Sequence, residues 1–206
     1  MQSGLNLRNF LFLIALLLVS LSLLYCASWM YAVEQADVDF ENGRYEDALT
    51  AYRTVEGKLI SRWDWLPGLR PLVGHVLIRQ VQILYLDKKT DDGLEMLERV
   101  GSRYPSLDND PYFHNWYGNL LFQRTIVQKD IQAMLDGFSA ALREYQKALE
   151  LDGNSWDARY NFELMKRILT ISEADDGPQQ LDLLIKEIRT NTRDKVQERL
   201  PPEKRS

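Results

Sequence analysis

The chain has 206 residues, with 25 Lys and Arg against 30 Asp and Glu. The resulting formal charge of −5 argues against a basic face for sequence-independent nucleic-acid binding. Hydrophobic residues make up 45%, enough for a core, and the one cysteine excludes an internal disulfide and a cysteine-built zinc site.

Residues 1–9 read as a short N-terminal segment with Arg8 as its only charged side chain. From Asn9 to Val33 no side chain is charged, and Phe10 to Tyr25 is nearly all Leu, Ile, Phe, Val, Ala and Ser. A bilayer span takes about 20 apolar residues, so residues 10–33 are expected to form one transmembrane helix, in contact with the lipid bilayer. Trp29 and Tyr31 fall where aromatic rings favour the interface. The competing reading is a cleaved signal peptide. Its apolar core is normally about 7–15 residues, shorter than this run, and no Ala-x-Ala site precedes Trp29. Arg8 before the span, and Glu34, Asp37, Asp39 and Glu41 after it, predict a cytoplasmic N-terminus and translocation of residues 34–206.

Residues 32–55 continue without a breaker. Gly43-Arg44-Tyr45 supplies a turn, and Ala48, Tyr52 and Val55 line a second helix. The span is therefore expected to run directly into the first helix of the soluble region. Gly57 to Gly74 then reads as a break, because Trp63, Trp65, Pro67, Gly68, Pro71 and Gly74 do not suit a regular helix interior. Its apolar residues, including Leu59, Ile60, Leu66, Leu69 and Leu72, fit either a loop folded on the first hairpin or contact with the nearby bilayer.

Val76, Leu77, Val81 and Leu84 form the next helical face. Gly93, Leu97 and Val100 form the one after, and Pro105 ends that hairpin. A further helix opens at Tyr112–Phe122. The clearest hairpin spans Gly137 to Leu169: Ala141, Leu142, Tyr145, Ala148 and Leu149 share one face, with Gly153 free to take a positive φ at the stop. Ser155 is placed to cap a second helix, expected to carry Trp156, Tyr160, Leu164 and Ile168 on one side.

Ala141…Tyr145…Ala148-Leu149-Glu150-Leu151-Asp152, followed by Trp156 to Leu164, resembles a tetratricopeptide repeat (TPR), a helix–turn–helix unit of roughly 34 residues. Ala48, Tyr52 and Val55 share the spacing, and Gly93 replaces the usual alanine while still allowing close helix crossing. The third repeat departs from the pattern. Trp116 lies 25 residues before Ala141, against about 16 in an ordinary repeat, so the excess around Gln128–Gly137 should lengthen the helices or bulge the connection. A narrower stretch, YQKALELD with WDARYNFEL within roughly residues 113–170, is similar to MxaK-type TPR proteins. Those accompany MoxR-type ATPases and von Willebrand factor A proteins in bacteria.

The expected architecture is all-α: one N-terminal transmembrane helix, a TPR-like α-solenoid of three to four hairpins over residues 34–171, and a C-terminal region over 172–206. In that region Leu181, Leu184, Ile185, Ile188 and Val196 define an amphipathic capping helix, ahead of a basic tail.

Catalytic motifs are missing. His75 and His114 are about 40 residues apart and belong to no HExxH pattern, and GxxxxGK[ST], GxGxxG and Gly-x-Ser-x-Gly do not occur. The reading is a non-enzyme without cofactor, metal or small-molecule substrate, and with protein partners. A hydrolase using either histidine is the alternative of another class.

The TPR resemblance implies that certain first-helix positions face a concave groove. These are His75, Ile78, Gln82, Tyr85 and Leu86, then His114, Tyr117, Leu121 and Arg124, then Asp157, Tyr160, Leu164 and Arg167. Such a lining suits a peptide or helix. Leu86, Leu121 and Leu164 fit a core face equally well, or a face covered by the C-terminal helix. The resemblance also bears on chaperone-tail recognition, which uses a Lys and Asn clamp: Val33 and Asp37 take the relevant first-repeat places, and Asn161 is expected to stand apart from such partners. The implied role is a membrane-anchored adaptor on the periplasmic side of a bacterial inner membrane, in maturation or assembly of a periplasmic metalloenzyme with a MoxR or von Willebrand A system. The alternative is an envelope or pilus assembly scaffold.

Overall fold

The computed structural model describes residues 7–60, 70–172, 179–188 and 190, and among these no residue is in a strand. The chain divides into two compact units, Met1–Trp63 and Asp64–Ser206.

The first unit is a helical hairpin. Helix α1 (Leu7–Glu41) runs unbroken through the apolar stretch and beyond it, so the expected continuity is present. It is long and apolar enough to cross a membrane, and none of its apolar window is buried in the protein. Composition of this kind fits a single membrane span or a signal sequence. The Ser20 and Ser22 hydroxyls donate to the Leu16 and Leu18 carbonyls at 2.9 and 2.8 Å, which removes free donors from this surface. The helix ends at Gly43, whose φ of 75° is one that glycine adopts without Cβ strain. There the Arg44 amide donates to Asp39 O at 2.8 Å, and the Arg44 side chain pairs with the Asp39 carboxylate. Helix α2 (Tyr45–Val55) folds back on α1. Ala36 and Ala48 are fully buried, and Val33, Leu49, Tyr52 and Val55 are buried as well. The Tyr52 hydroxyl donates to the Asp37 carboxylate. A π-helical turn, Glu56–Ile60, follows.

The expected break is shorter than the sequence suggested. Trp63, Trp65, Leu66, Pro67, Gly68 and Leu69 lie outside the described residues, but Pro71 and Gly74 are inside helix α3 (Arg70–Leu86). Pro71 occupies the first turn, where an N–H has no intrahelical acceptor to lose. Gly74 serves packing: a Cβ there would sit 3.3 Å from the Asp110 carboxylate.

Val73, Val76, Leu77, Ile78, Val81, Ile83 and Leu84 are all buried, so α3 is enclosed nearly all round. It packs on α4 (Thr90–Arg103) and on α5 (Pro111–Thr125), which also pack on each other. The 3-10 turn Pro105–Asn109 joins α4 to α5. Asp110 caps α5 by accepting the Tyr112 amide at 2.8 Å, and Asp130 caps α6 by accepting the Ala133 amide at 2.7 Å. Helix α6 (Ile131–Leu151) begins six residues before Gly137, so the extra sequence lengthens a helix. The α5–α6 pair is tightly crossed. A Cβ on Gly118 would lie 2.6 Å from the Tyr145 ring, and one on Gly137 would lie 2.1 Å from Thr125 Oγ1.

Helix α6 ends differently from the expectation. Gly153 has no positive φ; Asp152 turns extended instead, and its carboxylate accepts the Asn154 amide at 3.0 Å. The Ser155 hydroxyl does cap α7 (Trp156–Ser172), accepting the Ala158 amide at 3.4 Å. The stripe on α7 is also corrected. Its buried residues are Ala158, Met165 and Ile168, whereas Trp156 and Tyr160 are exposed. Each i+4 step turns about 40° around a helix, so Trp156 and Ile168 stand about 120° apart. Residues 179–188 are helical (α8 here), with Leu181 and Ile185 buried and Leu184 and Ile188 half-buried. Val196 lies outside the described residues.

Candidate protein-binding surface

The expected groove residues separate into three groups. Ile78, His114 and Leu121 are buried. Gln82, Tyr85, Leu86, Tyr117 and Leu164 are half-buried and mostly engaged within the protein. Gln82 accepts from Arg79 at 3.0 Å, the Tyr85 ring meets Trp116 edge-on at 5.5 Å, and the Tyr117 hydroxyl reaches Glu98 at 3.5 Å. Burial first, then the Glu98 and Glu144 charges, hold the Tyr117 phenol above its usual range. His75, Arg124, Asp157, Tyr160 and Arg167 are exposed.

His114 sits at the centre of a polar cluster. Its Nδ1 is 2.7 Å from Glu144 Oε2 on α6, and its Nε2 is 3.0 Å from the Asp108 carbonyl in the 3-10 turn. Lys147 Nζ lies 3.4 Å from the Asp108 carboxylate. A second node joins three helices: the Tyr145 hydroxyl donates to Asn119 Oδ1 at 2.9 Å, and Asn161 Nδ2 donates to the same oxygen at 3.1 Å. Asn161 therefore has an asparagine partner, contrary to expectation, but the pair is bonded internally. Asp108, Asn119 and Glu144 escaped the sequence reading. Their partners lie 6 to 42 residues away on other elements, where helical periodicity carries no signal.

Two aromatic side chains on α7 are exposed, Trp156 at 73% and Tyr160 at 63%, and Tyr112 on α5 is exposed as well. Arg167 and Asp157 are also exposed on α7. Elsewhere, a cavity of about 640 Å³ lies between the start of α6 and α8, lined by Val127, Ile131, Met134, Leu181 and Ile185, with Lys129 and Asp182 among its polar residues. Among the described residues, no three His, Cys, Asp or Glu side chains converge as a metal set. Among the described residues the protein is all-helical, with one apolar N-terminal helix of membrane-spanning length. No family model matches it, and no curated protein matches it.

Proposed function

We propose that this protein is a membrane-anchored, TPR-like adaptor that binds a partner polypeptide and performs no catalysis itself. The observation that carries the reading is the exposure of Trp156 and Tyr160 on α7. Aromatic side chains of that size are expensive to leave in water and are enriched at binding hot spots, as is arginine, here Arg167 and Arg124. Support for the repeat architecture comes from the succession of neighbouring helices and from the small residues Gly93, Gly118, Ala141 and Ala148, all buried. The arrangement expected in the cell places the N-terminus in the cytoplasm and the helical region in a bacterial periplasm, beside a von Willebrand A protein of a MoxR system.

The test is crosslinking in native membranes followed by pull-down, comparing wild type with the Trp156→Ala/Tyr160→Ala double variant. Truncation should cost more than about 1 kcal/mol of binding while leaving the helical content intact. Equal partner recovery from both would remove this surface from consideration.

A further inference from the structure

We infer that His114 is a proton-controlled latch between the Pro105–Asn109 turn, α5 and α6, closed as the imidazolium and loosened when the ring loses a proton. The argument begins with the two partners of the ring. Glu144 Oε2, 2.7 Å from Nδ1, belongs to a carboxylate, and the atom 3.0 Å from Nε2 is a backbone carbonyl oxygen. Both only accept. A neutral imidazole has one N–H, so one of its nitrogens would present a lone pair to an acceptor; the cation donates to both. The Asp108 carboxylate, 3.7 Å from Nε2, adds a second negative charge.

The ring is 2% exposed, so water cannot replace a bond lost on deprotonation. The charged groups around it come from two elements. Glu144 and Lys147 face it from α6, with Lys147 opposing the cation, and Asp108 faces it from the turn. On α5 itself, Tyr117 directs its hydroxyl away to Glu98 of α4. The Phe113 ring meets the imidazole edge-on at 5.4 Å.

The balance favours the proton. Burial opposes it, but the hydrogen bonds to Glu144 and Asp108 and the Glu144 charge outweigh that, so His114 titrates above the ordinary histidine range. A raised folded-state pKa makes the latch's contribution complete below the unfolded value of about 6.5. The contribution disappears as pH rises through the folded value. Rising pH should therefore loosen the α4–α5 connection.

The experiment uses the full chain in detergent micelles carrying His75→Gln, which leaves His114 as the sole histidine of the two. Ring resonances are titrated by NMR, and amide exchange over residues 104–116 is measured across pH and corrected for its intrinsic rate. The His114 midpoint should lie above about 6.5. Protection should fall through that midpoint, by up to about tenfold for each unit between folded and free values. Glu144→Gln should lower the midpoint, and His114→Gln should abolish the pH dependence of protection. A midpoint at or below the free value overturns the latch, as does an unchanged pH dependence in His114→Gln. Should His114→Gln fail to fold, Glu144→Gln decides alone: an unmoved midpoint overturns the inference.

Discussion

Replacing Gly118 by alanine tests a close helix crossing at a buried aromatic ring. A Cβ built there lies 2.6, 2.8 and 2.9 Å from three atoms of the Tyr145 ring. Carbon atoms sit comfortably at about 3.5–4.0 Å, so the ring would have to retreat by about 1 Å. Tyr145 is 1% exposed, and its hydroxyl is bonded at 2.9 Å to Asn119, which also accepts from Asn161. Retreat therefore strains close packing, at about 1–3 kcal/mol, and stretches a hydrogen bond worth about 1 kcal/mol. Alanine's better helix propensity returns about 1 kcal/mol. The expected net loss is about 1–3 kcal/mol, read as a lower urea midpoint with unchanged slope.

A second variant separates the clash from any intrinsic effect of alanine. In a Tyr145→Leu background the ring atoms are gone, so Gly118→Ala should cost much less, giving a coupling of about 1 kcal/mol or more. A midpoint for Gly118→Ala at or above wild type would refute the crossing geometry.

Two further outcomes are expected. Alkaline carbonate should leave the chain in the membrane with α1 intact, whereas full release, or a mature mass beginning near Trp29, would show that α1 is a cleaved signal. Deleting residues 179–206 removes Leu181 and Ile185 from the surface of Val127, Ile131 and Met134, so the thermal midpoint should fall and binding of an apolar dye should rise. An unchanged midpoint would mean that α8 contributes nothing to the array.

Much of the helical framework was legible because burial repeats along a helix. Ala48, Tyr52, Val76, Leu97, Ala141, Tyr145 and Ala148 were all identifiable from spacing, and all are buried. Local rules failed where tertiary contacts decide. Pro71 and Gly74 looked like breakers, yet proline is tolerated in a first turn and Gly74 makes room for Asp110 and Leu107. Gly153 looked like a helix stop, but the Asp152 carboxylate makes the turn without a left-handed residue. His114 read as one of several groove positions. Its role depends on Glu144 and on a carbonyl in a 3-10 turn, neither of which has a helical relationship to it.

The candidate surface follows from a comparison of α5 with α7. His114, Tyr117, Leu121 and Arg124 on the first have the same spacing as Asp157, Tyr160, Leu164 and Arg167 on the second. On α5 the four are buried, half-buried, buried and exposed; on α7 they are exposed, exposed, half-buried and exposed. The difference lies in the neighbours. Helix α5 is packed by α3, α4 and α6, whereas the principal partner of α7 is α6. Positions that an interior helix spends on its own core are thus presented to solvent by α7. A polypeptide seated on α7 would restore the environment that α5 already has, covering Tyr160 as Tyr117 is covered and extending the stack by one element. On the proposed function, that predicts a helical segment as the occupant, with apolar residues at i, i+3/i+4 and i+7, the spacing that puts one apolar stripe on a helix; a bound partner segment without helical structure would refute it.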